Sequence, residues 1–442
     1  MRQKGIIENM SMNKREIFLI DDMPPEAMAM LQAMYSRDPR SVVEHLKKVR
    51  EVGADKFMGL YYVGYGHKSI GDCGNTTLFI EQVSLLVAKA IQDFPLYNGQ
   101  EASTRYLDMS KQTVLNPLNT PEGEAIQQEW MRIYGKTLEA LKPFLKEQFP
   151  RKEDQKEAVY EKAISAKAFD IARGLLPAGV TTLLSWQTNL RQAYDQLQKL
   201  HHHPLEEIRS VADEIHLKLK DKYTNSFSHK QYEDQEAYLE KVGGELSYYD
   251  RPKMGPFKWQ SYLKMDKLSK FDDLLKSRPA KTELSDKFRK FGDIDFEFTL
   301  DFGSFRDLQR HRSGSRMMPL LTTWHGFFPW YLEQLPATIR PEVEKVIKEQ
   351  EALIDKLVCS PEVRQYYIAI GYAVTCEETF SLPAAIYVAE LRSGQTVHPT
   401  MRVIAQNMAK AIAEAVPGIA LHCDMSPDEW SIKRGTQDIV KK

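Results

Sequence analysis

The groups best suited to chemistry fall in two places far apart in the chain. One is Arg310-His311-Arg312, directly after a run from Phe302 to Gln309 whose apolar spacing (Phe302, Phe305, Leu308) predicts a buried helix. Two guanidiniums and an imidazole at one tip concentrate positive charge, which the negative end of the helix macrodipole tolerates. Each guanidinium offers a planar donor fork for a phosphate, a carboxylate or a uracil-like edge. Taken alone, such a triplet reads first as a solvated basic helix end. The other place is Gln100-Glu101-Ala102-Ser103-Thr104-Arg105-Tyr106. Polar groups at 101, 103 and 105 alternate, so an extended backbone points all three to one side. A carboxylate, a hydroxyl and a guanidinium on one face form a polar clamp for a small anionic ligand, or an edge strand turned to water.

These groups need elements to position them. Phe79, Ile80, Val83, Leu86 and Val87, joined by Leu85 and Ile91, predict a core helix over Thr76–Phe94, ended by Pro95. A second helix is predicted from Thr181 to Leu200, with Leu183, Trp186, Leu190, Ala193, Leu197 and Leu200 as its stripe. On it Asn189 and Arg191 lie on opposite shoulders and cannot grip one small group. His201-His202-His203 point in different directions from a loop, and no H-E-x-x-H or cysteine set is nearby, so no metal is expected. Pro204 opens a further helix with Glu206 and Glu207 in its first turn.

Residues 1–65 carry helical stripes (Ala27, Met30, Leu31, Met34; Val42, Val43, Leu46, Val49), and residues 121–172 are helical and strongly charged. Later helices are predicted over Pro341–Lys356, Pro361–Phe380 and Thr400–Val416. Between the halves, residues 224–292 are richer in Lys, Asp, Ser and Gly, and Gly243-Gly244 reads as linker. The expected domains are therefore 1–235 and 236–442.

The chain's 442 residues are long for one core, which also favours two domains. Lys plus Arg (60) against Asp plus Glu (61) leave a net charge of −1, which argues against a general nucleic-acid binder. No apolar run reaches membrane-spanning length and the N-terminus lacks a signal-peptide pattern. Four widely spaced cysteines without a C-x-x-C pair suit a reducing, cytoplasmic setting.

The order Leu176-Pro177-Ala178, Leu190-Arg191, His203-Pro204 has a counterpart in Leu382-Pro383-Ala384, Leu391-Arg392, His398-Pro399, each followed by a helix. The spacings shrink from 14 to 9 between proline and arginine, and from 12 to 6 between arginine and histidine. A diverged tandem duplication accounts for the shared order.

Gly66-His67-Lys68-Ser69, the predicted buried helix after it, Glu101-x-Ser103-x-Arg105-Tyr106, Ala172-Arg173-Gly174-Leu175-Leu176-Pro177 and Trp186-x-x-Asn189-x-Arg191 together resemble the flavin-dependent thymidylate synthases. The resemblance covers roughly residues 60–215. Over 295–415 it rests on Arg310-His311-Arg312, a triplet with which that family ends its helix, and on the repeat. In the first half the triplet positions hold Asp93, Phe94 and Pro95; in the second, the positions of Glu101, Ser103 and Arg105 hold Met318, Leu320 and Thr322. Each half keeps what the other has lost.

The resemblance implies an α+β fold, here as two tandem domains, helix-rich around a mixed or antiparallel sheet. It implies transfer of a methylene from methylenetetrahydrofolate to C5 of dUMP, with FAD as cofactor and NADPH as reductant, at a composite site between the two domains. By the same resemblance Ser103 and Arg105 are the catalytic pair. Glu101, Ser103, Arg105, Arg173 and Lys199 hold dUMP, Lys199 standing where the family has an arginine and lacking the fork. His67, Ser69, Asn189, Arg191, His203, Arg310, His311 and Arg312 match flavin-contacting positions, with Arg392 and His398 as second-copy echoes of Arg191 and His203. Asp195, where the family commonly has Asn, adds a negative charge near that surface. Family members are homotetramers, so a dimer of two-domain chains is expected. The alternative is a non-catalytic flavin- or nucleotide-binding relative.

Overall fold

The computed structural model of the chain describes residues 18–52, 68–251, 255 and 257–428. His67 lies outside the described residues. The first two helices, α1 (Pro25–Tyr35) and α2 (Val42–Val52), pack through Met30, Leu31 and Val49, as their stripes predict. The buried Glu26 carboxylate of α1 accepts from the backbone N–H and hydroxyl of Ser226.

Three stretches predicted as helix contain a strand, and in the first two the strand comes first and the helix second. Residues Asn75–Ser84 form β1, and the helix begins only at α3 (Leu85–Gln92), where the Ser84 hydroxyl caps Val87 N. After α4 (Pro121–Gln148) and α5 (Glu157–Ala172), residues Thr181–Asn189 form β2, followed by α6 (Leu190–Leu200). There Asn189 Oδ1 accepts from Gln192 N at 2.8 Å, in the manner of a helix cap. The physical reason is shared: Thr76, Thr77, Phe79, Ile80 and Val83, like Thr181, Thr182, Trp186 and Thr188, are β-branched or aromatic residues that favour a pleated surface. Their apolar positions coincide with helical spacing for two turns.

Helices α7 (Glu206–Lys222) and α8 (Glu233–Leu246) follow. Gly243-Gly244 therefore sits inside a helix and is not linker. The second half opens with β3 (Phe257–Ser261), then β4 (Asp293–Asp301), α9 (Phe302–Gln309), β5 (Gly314–Arg316) and α10 (Arg340–Ile354). The third corrected stretch is Pro361–Phe380, which holds a short helix Pro361–Arg364, a 3-10 turn Gln365–Tyr367 and strand β6 (Ala373–Ser381). Helices α11 (Leu382–Arg392) and α12 (Pro399–Ala415) complete the described fold. It is helix-rich α+β. β1 pairs with β2, and a four-stranded antiparallel sheet runs β3-β4-β6-β5. Ile294, Phe296, Phe298 and Leu300 of β4 are fully buried, and α12 packs on that strand. Among the described residues no helix is long and apolar enough to cross a membrane.

Two compact units interleave in sequence. One comprises residues 1–76, 189–194 and 216–230; the other holds 77–188, 195–215 and 231–442. One element series occurs twice in the chain. A 3-10 turn of 3 residues (Arg173–Leu175), a strand of 9 and helices of 11 and 17 (β2, α6, α7) match Gln365–Tyr367, β6, α11 and α12, with the same lengths. The two series touch reciprocally. Ala178 N donates to Ile368 O and Ile370 N to Leu176 O; Gly179 N donates to Tyr366 O and Gly371 N to Gly174 O. Around the bridge Pro177↔Ala369, each bond is the image of another under exchange of positions 176 with 368 and 178 with 370, the signature of an isologous contact. A Cβ on Gly371 would stand 2.5 Å from Gly174 O, and one on Gly179 2.7 Å from Tyr366 O, so this backbone approach requires glycine.

The Leu-Pro-Ala triplets are not structural counterparts. Leu176-Pro177-Ala178 precedes its strand, whereas Leu382-Pro383-Ala384 opens the helix after the strand. Arg392 ends α11 as Leu200 ends α6, so it is no echo of Arg191, the second residue of its helix. His398 stands directly before α12, whereas His203 lies three residues before α7.

Candidate functional site

The β4–α9 junction presents the triplet. Ser304 N donates to Asp301 Oδ1 at 2.8 Å, starting a short helix that buries Phe302, Phe305 and Leu308. Arg310 caps its C-terminus, and the chain turns so that Arg310 and Arg312 are exposed while His311 is buried. Arg310 Nη2 donates to Gln100 Oε1 at 3.3 Å, and the Arg312 guanidinium donates to Tyr97 O. The triplet and the segment leading into Glu101 thus meet within one chain. Burial and the neighbouring Arg392 pull His311 down to about 3, so its neutral Nε2 accepts from Arg392 Nε at 2.7 Å.

Arg310, Arg312 and Arg392 line a cleft of about 410 Å³ together with Arg289, Tyr387 and Leu391. Arg289 is neutralised by Asp286 at 2.7 Å. Neither Arg310 nor Arg312 has an ion-pair partner among the described residues. Tyr387 and Leu391 are 46% and 49% exposed and supply an apolar wall. Forked cationic donors beside an aromatic ring suit an anionic ligand carrying a flat ring.

The expected clamp is built differently. Glu101 bridges to Leu184 as an extended residue, but a turn begins at Thr104, so the side chains at 101, 103 and 105 do not share one face. Glu101 binds Arg306 through Oε1 and Lys89 through Oε2 (3.0 Å). Burial raises the Glu101 carboxyl, but Arg306 and Lys89 outweigh it and bring it to about 2; burial alone dominates Lys89, down to about 8. Arg105 forms a bidentate pair with Asp170, Nε to Oδ1 at 2.7 Å and Nη2 to Oδ2 at 3.1 Å, and adds the Thr396 carbonyl. The Ser103 hydroxyl accepts from Arg105 N at 3.3 Å, a local turn contact. Arg173 is fully buried: Nη2 donates to Ser304 Oγ at 2.8 Å, with Asp307 and Asp301 at 3.6 and 3.8 Å. Burial opposes its charge, but Tyr331, Asp307 and Asp301 raise it above an ordinary arginine. Glu101, Arg105 and Arg173 are therefore held in interior ion pairs.

The remaining expected residues separate. Lys199 is exposed, 6.0 Å from the Phe94 ring centroid, and lines a second pocket of about 160 Å³ with Asp93 and His203. His203 is pulled by burial to about 3, its Nδ1 accepts from Leu205 N, and its ring meets Tyr248 edge-on at 5.5 Å. Ser69, Asn189 and Arg191 belong to the other compact unit, where Arg191 pairs with Asp72 at 2.9 Å and Ser69 is exposed on a 3-10 turn. His201 and His202 take separate acids, Asp213 and Glu236. Lys89, Asp170, Arg306 and Tyr387 escape the sequence reading. Lys89 carries a signal, since a lysine inside Leu85-Leu86-Val87-Ala88-Lys89-Ala90-Ile91 is buried whenever that run is, and a buried charge demands a partner.

A family model described as thymidylate synthase complementing protein matches residues 18–223. The UPF0159 protein of Chlamydia muridarum is 25% identical over 431 residues, covering 83% of this chain and 80% of its own. The UPF0159 protein of Chlamydia pneumoniae is 24% identical over 413 residues, covering 80% of this chain and 77% of its own. UPF0159 protein Ta1429 of Thermoplasma acidophilum is 24% identical over 472 residues, covering 88% and 93%. These similarities extend past the segment matched by the family model. The similarity to the family described as thymidylate synthase complementing protein covers residues 18–223, a little under half of the chain's 442 residues.

Proposed function

We propose that the chain binds a flavin nucleotide, FAD, in the arginine cleft of its second half, as a tandem-duplicated relative of the flavin-dependent thymidylate synthases with domains 1–235 and 236–442. The observation that carries this reading is the pair of exposed guanidiniums, Arg310 and Arg312, with no ion-pair partner among the described residues, in a cleft of about 410 Å³ walled by Tyr387 and Leu391 and also lined by Glu283 and Asp286. The donor set fits a dinucleotide: two forks for a pyrophosphate and an aromatic ring for a flat heterocycle. Bound there, a flavin supplies hydride chemistry, and adjacent cations favour its anionic reduced form. The residues themselves bind and orient, with neutral His311 fixed by Arg392.

The burial of Glu101, Arg105 and Arg173 in ion pairs favours a relative that binds flavin without converting dUMP through those residues. A second reading, conversion of dUMP to dTMP with methylenetetrahydrofolate and NADPH at a composite site, draws on the contacts of Arg310 with Gln100 and Arg312 with Tyr97. It requires Arg105 to leave Asp170. The chain is proposed to act as a homodimer, four family-type modules in all. An absorbance spectrum of the purified protein tests flavin binding, and release of the C5 hydrogen of dUMP with folate and NADPH separates the two readings. Absence of any flavin affinity refutes both.

A further inference from the structure

The arginine cleft has a counterpart in the first half. Arg310 follows the 8-residue helix α9 as Asp93 follows the 8-residue α3. Leu391 and Arg392 end the 11-residue α11 as Lys199 and Leu200 end the 11-residue α6. The smaller pocket is lined by Asp93, Lys199 and Leu200, so it stands on the equivalent face. Its charges are changed: an acid replaces Arg310, Pro95 replaces Arg312 and Leu200 replaces Arg392.

That face is also covered. Leu239, Val242, Gly243 and Leu246 of α8, together with Tyr248, also line the pocket. The helix lies so close to the 201–203 loop that a Cβ on Gly243 would stand 1.9 Å from His202 O. Glu236 on the same helix pairs with His202 Nε2 at 3.0 Å, and the Tyr248 ring closes on His203. What remains is about 160 Å³, against about 410 Å³ on the open face. That volume is below the several hundred Å³ of a typical pocket for a drug-sized ligand, roughly 300–1,000 Å³.

We infer that helix 233–246 is the resident occupant of the first-half ligand face, leaving each chain one open ligand site, on the Arg310–Arg392 face. The stoichiometry rests on the flavin reading above; the closure by the helix does not.

The test uses the full chain, with FAD titration by calorimetry and backbone hydrogen exchange resolved to helix 233–246. Wild type is expected to bind one FAD per chain, with amides in 233–246 protected to the same order as those in 190–200, with or without FAD. Gly243→Val forces the helix off His202 and is expected to speed exchange in 233–246 by about tenfold or more, while 302–309 and 382–392 stay protected. Its FAD stoichiometry stays at one, because the uncovered face holds Asp93. Gly244→Ala, whose Cβ meets nothing within 4 Å, is the control and keeps the helix seated. Two FAD per chain in wild type, or helix 233–246 exchanging as fast as an open loop, overturns the inference. Absence of FAD binding refutes the flavin reading alone, and the exchange of wild type and Gly244→Ala still decides the closure. Should Gly243→Val fail to fold, the same two proteins decide it.

Discussion

Arg105→Ala separates a structural arginine from a substrate-binding one. In the folded chain the Arg105 and Asp170 side chains are 11% and 2% exposed and joined by two hydrogen bonds, with Thr396 O as a third partner for the guanidinium. Removing Arg105 takes from the buried Asp170 carboxylate the guanidinium that binds both of its oxygens, a loss of about 3–5 kcal/mol. Asp170→Ala, which strands the guanidinium instead, belongs in the same range. Replacing both by apolar residues of similar volume, Arg105→Met with Asp170→Leu, restores most of the stability, because a buried pair is close to neutral against a hydrophobic one. The losses should therefore be far from additive, the double replacement costing less than either single one. In urea, at a slope of about 3 kcal/mol/M, each single variant lowers the midpoint by about 1–2 M. Circular dichroism against urea for the four proteins measures it, with dUMP binding followed in parallel. Unchanged midpoints together with lost dUMP affinity in Arg105→Ala refute the assignment and make the clamp a binding group.

Three further outcomes follow from the same geometry. His311 is held neutral, down to about 3 from 6.5, so the unfolded chain takes up a proton that the folded chain refuses as pH falls through 6.5. Its contribution is complete above pH 6.5 and lost towards 3, so His311→Gln should make the pH slope of stability between 6.5 and 4.5 shallower by about 1.4 kcal/mol per pH unit; an unchanged slope counts against a neutral His311. Gly371→Ala places a methyl 2.5 Å from Gly174 O and should lower stability by about 1–3 kcal/mol, read by urea unfolding, whereas Gly135→Ala, with open space at its Cβ, should be neutral or stabilising. Lys89→Met removes one of the two ion pairs of Glu101 among the described residues and should raise its carboxyl from about 2, a shift visible by carboxyl NMR titration; an unmoved resonance denies the pairing.

The parts legible in the sequence are those where one periodicity rules. The stripe Phe302, Phe305, Leu308 marks α9 and the cationic tip after it, and Val343, Val346, Ile347 and Ile354 mark α10. The strand-to-helix junctions at Ser84, Asn189 and Ser381 are hidden because the apolar residues on either side keep a helical spacing across them, and only the capping residue and the threonines betray the change. The clamp was legible as a set of residues but not as a shape. Whether Arg105 faces a ligand or an acid depends on Asp170, which lies 65 positions away and shares no pattern with it. Gly243-Gly244 illustrates the same limit: a glycine pair signals a linker until the His202 carbonyl that demands it comes into view. The repeat order read from the Leu-Pro-Ala triplets does not coincide with the structural series, whose register follows from the reciprocal hydrogen bonds at 174–179 and 366–371.

The arginine cleft is tested most directly by FAD titration of the wild-type chain beside Arg310→Ala and Arg312→Ala. The account predicts saturable binding, weakened in each variant by about 1.5–3 kcal/mol, roughly ten- to a hundredfold in Kd. Absence of FAD binding by the wild-type chain, or equal affinity in all three proteins, contradicts it.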